Sequence, residues 1–344
     1  MIEGLDISEE ALGKYLEAEV PGLEGFEAIS KFGTGQSNPT YRVDAASGVY
    51  VLRAKPPGPL LKSAHLVERE FRAMRALAGT DVPVPEALHL TEDGASPIGR
   101  AFFVMSFLDG RIFWNPALPE LPHDLRRPVY CAMAETLAAL HSVAVEAAGL
   151  ADFEKPGNYF ARQTKRWSTQ YRASALNPNP DMERVMDWLS DNMPPDDGQA
   201  ALVHGDYRLD NIMFAPDEPR AIGLLDWELS TLGHPIADLA YQCMQWRLPH
   251  DGAMPGLGGL DRSSIGLPSE TEYVEEYCRR RGIGGVENWP FCLAFSFFRL
   301  AAILQGVVRR AHDGNASNPE TGRKYAAAIP VLARMAAEIA EECA

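Results

Sequence analysis

The most restrictive stretch of this 344-residue chain is a pair of short apolar runs, each ending on acidic residues. Ala201-Leu202-Val203 leads into His204-Gly205-Asp206, and Asn211 follows five residues after Asp206. A second run, Ala221-Ile222-Gly223-Leu224-Leu225, closes on Asp226 fifteen residues after Asn211. Apolar runs bounded by Gly, Asp and Asn read as strands and turns, so residues 201–227 form a strand–loop–strand with two carboxylates and a carboxamide at strand ends. Phosphoryl transfer from ATP needs such groups. One carboxylate accepts or orients the proton of an attacking hydroxyl, while a carboxamide oxygen and a second carboxylate hold Mg²⁺. The bland alternative is a polar turn in which Asp and Asn merely favour the bend.

Upstream, 26–32, 40–44 and 49–54 read as strands, with a hairpin turn at Ala45-Ala46-Ser47-Gly48 and a proline-rich stop from Pro56. Residues 62–78 read as a helix with Val67, Phe71, Met74, Leu77 and Ala78 on one stripe, and 101–108 as a buried strand. Beyond Gly110 helical periodicity takes over, over 125–148, 158–174, 181–193, 236–247, 269–281, 287–311 and 320–342. These runs predict an α+β chain. A small antiparallel N-lobe with one helix (1–108) is joined by an extended hinge to a larger, mainly helical C-lobe (109–344), an arrangement whose cleft suits a ligand.

The net charge of −15 argues against a nucleic-acid partner, because neutralising a phosphate backbone requires a basic footprint. Five scattered cysteines without a C-x-x-C pair, and an N-terminus lacking signal-peptide features, lead us to expect a reduced, cytoplasmic chain. Residues 289–308 match a membrane span in length. Arg299 in their midst and the lack of a comparable second segment make a core helix the expectation, with no membrane partner.

The pattern H-G-D-x-x-x-x-N followed by a strand ending in Asp resembles the aminoglycoside phosphotransferase family, relatives of choline kinases and protein kinases. The longer string HGDYRLDNIMF…GLLDWELSTLGHPIADLAY is similar to the phosphotransferase domain that precedes acyl-CoA dehydrogenase domains in some proteins and stands alone in bacteria. The resemblance spans nearly the whole chain and implies a protein-kinase-like two-lobe fold using ATP and Mg²⁺. It implies Asp206 as catalytic base and Asn211 and Asp226 as Mg²⁺ ligands. Arg208 matches a position near the γ-phosphate, against which stands a plain salt bridge to Asp210. Trp227-Glu228 replaces the Phe-Gly of protein kinases. Asp238 resembles a position that braces the catalytic loop; His204 positions that loop, and His141 reads as a core histidine.

On the nucleotide side, Gly33-Thr34-Gly35-Gln36-Ser37-Asn38 joins the first two strands, with glycines that let backbone N–H groups approach phosphate. Gly33, Gly35, Ser37 and Asn38 are the candidates there, although Asn38 stands where a third glycine is usual. The third strand should carry a cation for the α/β-phosphates, and Arg53 and Lys55 share one face. Arg53 is preferred, since it leaves apolar Val51 near the adenine, with Lys55 in reserve. The cation needs a carboxylate from the following helix. Glu70 lies inside the apolar stripe and Glu68 points about 100° away from Val67, so Glu70 is the expected partner. A rim position for Glu70, beside Arg69 or Arg72, is the alternative. By resemblance, the backbone of Ser106 and Leu108 contacts adenine, with Met105 behind it.

The acceptor is least legible. Arg162, Lys165 and Arg166 share a helix face beside Trp167 and Tyr171, which suits a hydroxyacyl-CoA-like anionic metabolite or simply a solvated surface. No acidic cluster for a polycationic aminoglycoside stands out, though that acceptor remains the alternative. A catalytically silent nucleotide-binding regulator is disfavoured by the intact Asp206, Asn211 and Asp226. A protein kinase is disfavoured by the lack of an A-P-E-like segment.

Overall fold

The computed structural model describes residues 2–33, 38–58, 66–154, 157–313 and 319–343. Their contacts divide the chain into two compact units. One comprises Met1–Arg111, Glu146–Leu150 and Ile212–Ser230; the other comprises Ile112–Val145, Ala151–Asn211 and Thr231–Ala344. The first unit therefore runs past residue 108 and takes in a second stretch beginning just after Asn211.

The first unit opens with helix α1 (Glu9–Glu19), which the sequence reading of one helix had not included. Five of its eleven residues are charged, so its periodicity rests on two leucines, Leu12 and Leu16, while Ser8 caps it by accepting from the Ala11 N–H at 3.2 Å. Strands β1 (Phe26–Lys31), β2 (Thr40–Ala45) and β3 (Gly48–Ala54) follow, then helix α2 (Val67–Leu77), β4 (Ala87–Thr91) and β5 (Phe102–Ser106). β4 is likewise an addition to the sequence reading. These strands form one antiparallel sheet in the order β1-β2-β3-β5-β4. Side chains alternate across it. Tyr41, Val43, Leu52, Phe102 and Val104 join Leu12 and Leu16 in one buried cluster. The intervening residues place Arg53 opposite Phe103 and Val51 opposite Met105, and Phe103 meets Phe71 of α2 at 6.1 Å.

The chain continues through β6 (Arg111–Ile112) and into the second unit as α3 (His123–His141), α4 (Tyr159–Ser174), α5 (Pro180–Asp191), β7 (Ala201–Val203) and a 3₁₀ turn (Leu209–Asn211). It returns to the first unit as the β8 (Ile212–Phe214) and β9 (Ala221–Leu224) hairpin and a 3₁₀ turn (Trp227–Leu229). It ends in the second unit with β10 (Thr231–Gly233), α6 (Ile236–Arg247), α7 (Glu270–Arg281), α8 (Trp289–His312) and α9 (Pro319–Glu342). β10 pairs with β7. α3 stops at His141, short of the expected 148, because Ser142 caps it and the chain after Val145 belongs to the first unit.

α8 is long and apolar enough to cross a bilayer, yet 78% of its apolar window is buried within the fold. α4, α5, α6 and α9 pack against it, which makes it the core helix the sequence suggested.

Candidate active site

In the first unit, the α2 stripe is apolar at Val67, Met74 and Leu77 but carries Glu70, which is 2% exposed. A carboxylate so placed needs a partner. Arg53, projecting from β3, donates through Nε to Glu70 at 3.1–3.2 Å, and its Nη2 reaches Asp226 Oδ1 at 2.5 Å. The Asn38 amide donates to Glu70 Oε1 at 2.7 Å. Lys55, two residues along β3, takes the other glutamate, with Nζ 2.5 Å from Glu68 and 3.0 Å from Asp93. The two cations that sequence left open thus divide the two glutamates of α2, Arg53 with Glu70 and Lys55 with Glu68. Arg69 and Arg72 donate to the Ser230 and Gly149 carbonyls instead.

Asp226 has a left-handed backbone (φ 66°) and is followed by Glu228, one residue into the 3₁₀ turn. One carboxylate oxygen each from Glu70, Asp226 and Glu228 lies within 4.8 Å of the others. Burial alone would weaken Arg53's hold on its proton, but Glu70, Asp226 and Glu228 outweigh it and raise its pKa. Glu70 is pushed up to about 7 by burial, with Asp226 adding to the rise and Arg53 and Asn38 opposing it. Glu228 is a member of the cluster that the sequence reading had not assigned; its spacing of two from Asp226 was the available signal.

Val51 is buried and Met105 half-buried. The Ser106 N–H is committed to the Glu86 carbonyl at 2.9 Å, and Leu108 lies against Gly223, leaving no room for a Cβ there. Gly33 has open space where a Cβ would stand. Gly35 and Ser37 lie outside the described residues.

In the second unit, β7 delivers His204-Gly205-Asp206. Gly205 adopts φ 83°, a conformation glycine takes without steric penalty, so the chain can turn sharply between β7 and Asp206. Asp238, in the first turn of α6, accepts the His204 N–H at 2.6 Å and the Gly205 N–H at 2.9 Å. Its Oδ2 also lies 3.4 Å from His141 Nε2, while His141 Nδ1 is 2.8 Å from the Tyr277 hydroxyl. From the other side, Arg299 of α8 donates to the Gly205 carbonyl at 2.6 Å.

The Asp206 carboxylate is held at both oxygens. The Tyr241 hydroxyl donates to Oδ1 at 2.8 Å, and the Asn211 amide donates to Oδ2 at 3.0 Å and to the Asp206 carbonyl at 2.8 Å. With its N–H groups so used, Asn211 keeps its amide oxygen as a donor for a metal. Arg208 lies 3.4 Å from Asp206 and 2.7 Å from Asp210, so it serves both carboxylates. Burial favours a protonated Asp206, but Arg208, Tyr241, His204 and Asn211 prevail and hold its pKa below the ordinary carboxylate value. Asp238 is likewise held low, with His141 and the backbone N–H groups overcoming burial. Tyr241 and Arg299 are parts of this arrangement that the sequence reading had not assigned. An arginine inside an otherwise apolar helix was the available signal for the second.

The carboxylates and the Asn211 amide oxygen are hard oxygen donors, which suit Mg²⁺. Of the basic face on α4, Arg162 turns to the Gly157 carbonyl, and Lys165 lines a cavity of about 440 Å³ with Arg172 and Asp187.

Comparison with known proteins is consistent with this reading. The family described as "Phosphotransferase enzyme family" matches residues 28–295. Acyl-CoA dehydrogenase family member 10 of Mus musculus is 45% identical over 320 residues, 91% of this chain, and the chain spans only 29% of that protein's length. The structure of a "putative aminoglycoside phosphotransferase" from Ralstonia eutropha JMP134 is 43% identical, with a TM-score of 0.87 over 97% of this chain and 98% of that one. A spectinomycin phosphotransferase solved with ADP and spectinomycin, 13% identical with a TM-score of 0.64 over 97% of this chain and 99% of that one, shares the fold.

Proposed function

This chain belongs to the phosphotransferase enzyme family, a small-molecule kinase by class, and from that premise we propose that it moves the γ-phosphate of ATP to a hydroxyl of a small anionic metabolite of the hydroxyacyl-CoA type. The observation that carries the reading is the Asp206 carboxylate, half-buried yet kept ionised by Arg208 and by donors on both oxygens. A base must be ionised to accept a proton and fixed to receive it from one direction.

In this reading the acceptor hydroxyl gives its proton to Asp206 as its oxygen bonds to the γ-phosphorus. The bond from that phosphorus to the β–γ bridging oxygen breaks, and its electron pair leaves with ADP. Asp206 then returns the proton to solvent. Asn211 and Asp226 would hold Mg²⁺, which would offset charge on the phosphate oxygens. Arg53, oriented by Glu70, faces the α/β-phosphates; Arg208 serves the transferred phosphoryl group; and the Ser106 carbonyl and Leu108 N–H hold adenine over Val51 and Met105.

Two observations support the acceptor class. The mouse relative bears the name of an acyl-CoA dehydrogenase, and α4 presents Lys165 and Arg166 at its exposed face beside Trp167. The test is an ADP-release screen with Mg²⁺-ATP against hydroxyacyl-CoAs, aminoglycosides, amino alcohols and sugars. Turnover with hydroxyacyl-CoAs ahead of the others is expected. Turnover confined to aminoglycosides would overturn the acceptor class, and none at all would overturn the activity. Asp226→Ala should also abolish the Mg²⁺-dependent part of the thermal stabilisation by ATP, and an unchanged shift would count against metal binding there.

A further inference from the structure

We infer that Tyr241 is a positioning residue for Asp206, and that the buried Arg299 guanidinium locks it in that role. The inference rests on the reading of Asp206 as the base. Asp238 and Tyr241 stand three residues apart on α6 and so share a face. One helix face therefore fixes the loop twice, Asp238 holding the backbone N–H groups of His204 and Gly205 and Tyr241 holding the carboxylate itself.

A carboxyl group turns about a broad, roughly two-fold torsion, and a single hydrogen bond leaves that rotation poorly restrained. Bonds at both oxygens, Tyr241 on Oδ1 and Asn211 on Oδ2, fix the plane. Arg208, 3.4 Å from Oδ1, contributes charge near the group but no hydrogen bond of its Nε.

The partner chosen by the Tyr241 hydroxyl sets it apart. Tyr41, Tyr50, Tyr130 and Tyr207 all donate to backbone carbonyls, the usual way to satisfy a buried phenol. Among the described residues, Tyr241 is the tyrosine that donates to a carboxylate, and that carboxylate is Asp206.

Arg299 explains why the ring stays in place. It is 4% exposed, with no carboxylate within ion-pair distance among the described residues. Its guanidinium lies 5.2 Å from the Tyr241 ring centre and 5.7 Å from that of Trp167, while Nη2 bonds the Gly205 carbonyl. A desolvated cation against two aromatic rings is strongly held. Arg299 thus ties Tyr241 to the same peptide unit whose neighbour Tyr241 orients.

The test is ADP release at saturating Mg²⁺-ATP, with water as acceptor and with each compound turned over in the screen above, for Tyr241→Phe, Arg299→Lys, Asp206→Asn and the Tyr241→Phe/Asp206→Asn pair. Tyr241→Phe should lower kcat about 10- to 100-fold, the scale of a small misplacement of a reacting group. It should leave KM for ATP within about two-fold and the melting temperature nearly unchanged. Arg299→Lys, which keeps the charge and loses the planar fork, should lower kcat in the same direction with KM for ATP preserved. In the Asp206→Asn background Tyr241→Phe should have almost no further effect, because groups acting as one unit are not additive. An unchanged kcat in Tyr241→Phe, a loss expressed wholly in KM, or a full loss repeated in the Asp206→Asn background would each overturn the inference. Undiminished turnover in Asp206→Asn would instead remove the base assignment, and no ADP release by the unaltered protein would remove the parent reading and this one with it.

Discussion

The two units each surround one carboxylate with polar partners, and they treat it in opposite ways. Glu70 in the first is pushed towards the protonated form; Asp206 in the second is held in the ionised form. Burial acts with the same sign on both. The difference lies in the company. Glu70 shares its guanidinium with Asp226, whose negative charge adds to the rise. Asp206 has a tyrosine hydroxyl and a carboxamide, which donate without charge, and Arg208 nearby. One carboxylate shares its cation with a neighbouring acid; the other is ringed by donors that keep it ionised and fix its plane.

The sharpest way to break this contrast is Asp206→Asn. It should reduce turnover by about 10³-fold, within the range general-base residues contribute, while ATP binding by calorimetry survives. Equal loss of both would show that Asp206 supports nucleotide binding or the fold rather than acting as the base. Next is Arg53→Met, which strips the guanidinium bonded to Glu70 and should destabilise the fold by about 3–5 kcal/mol in denaturant titrations. The Arg53→Met/Glu70→Leu pair should recover most of that, and a double variant as weak as the single one would sink the charge argument.

The pH dependence comes third. Glu70 binds its proton more tightly in the folded state, with its pKa pushed up to about 7 from an ordinary 4.5. Its contribution to stability is therefore fully present below about pH 4.5 and is lost as pH rises to about 7. Asp206, lowered from 3.8, acts oppositely; its contribution is present above that value and is lost as pH falls through the lower folded value. Relative to Glu70→Gln, the unaltered protein should lose up to about 3 kcal/mol of stability between pH 5 and 8. Parallel melting curves for the two would refute the assignment. The smallest effect is expected from Lys55→Gln, which removes a cation from partners that are themselves partly exposed. About 1 kcal/mol should be lost and ATP affinity should stay within about three-fold, and a large loss of affinity would move the phosphate contact from Arg53 to Lys55.

Much of this was legible in the sequence because it is local. The β2–β3 turn, the strand–loop–strand around Asp206 and the intrusion of Glu70 into an apolar stripe each follow from residues a few positions apart. α1 was not legible, since its charges mask a two-leucine anchor, and β4 is a short strand identified by its pairing with β5. Tyr241 and Arg299 escaped for a different reason. They lie 35 and 94 positions from the groups they bond, and no periodicity joins them. Arg299 did leave a trace, as a charge where hydropathy demanded none.

α8 also has a bearing on biosynthesis. A stretch with the hydropathy of a bilayer span is largely buried by the helices laid over it, and α9, a principal cover, is translated after it. During synthesis α8 leaves the ribosome before its α9 cover exists, so chaperone capture at this stage should govern yield, and deleting α9 should send the product to pellets or membranes rather than leave a smaller working kinase.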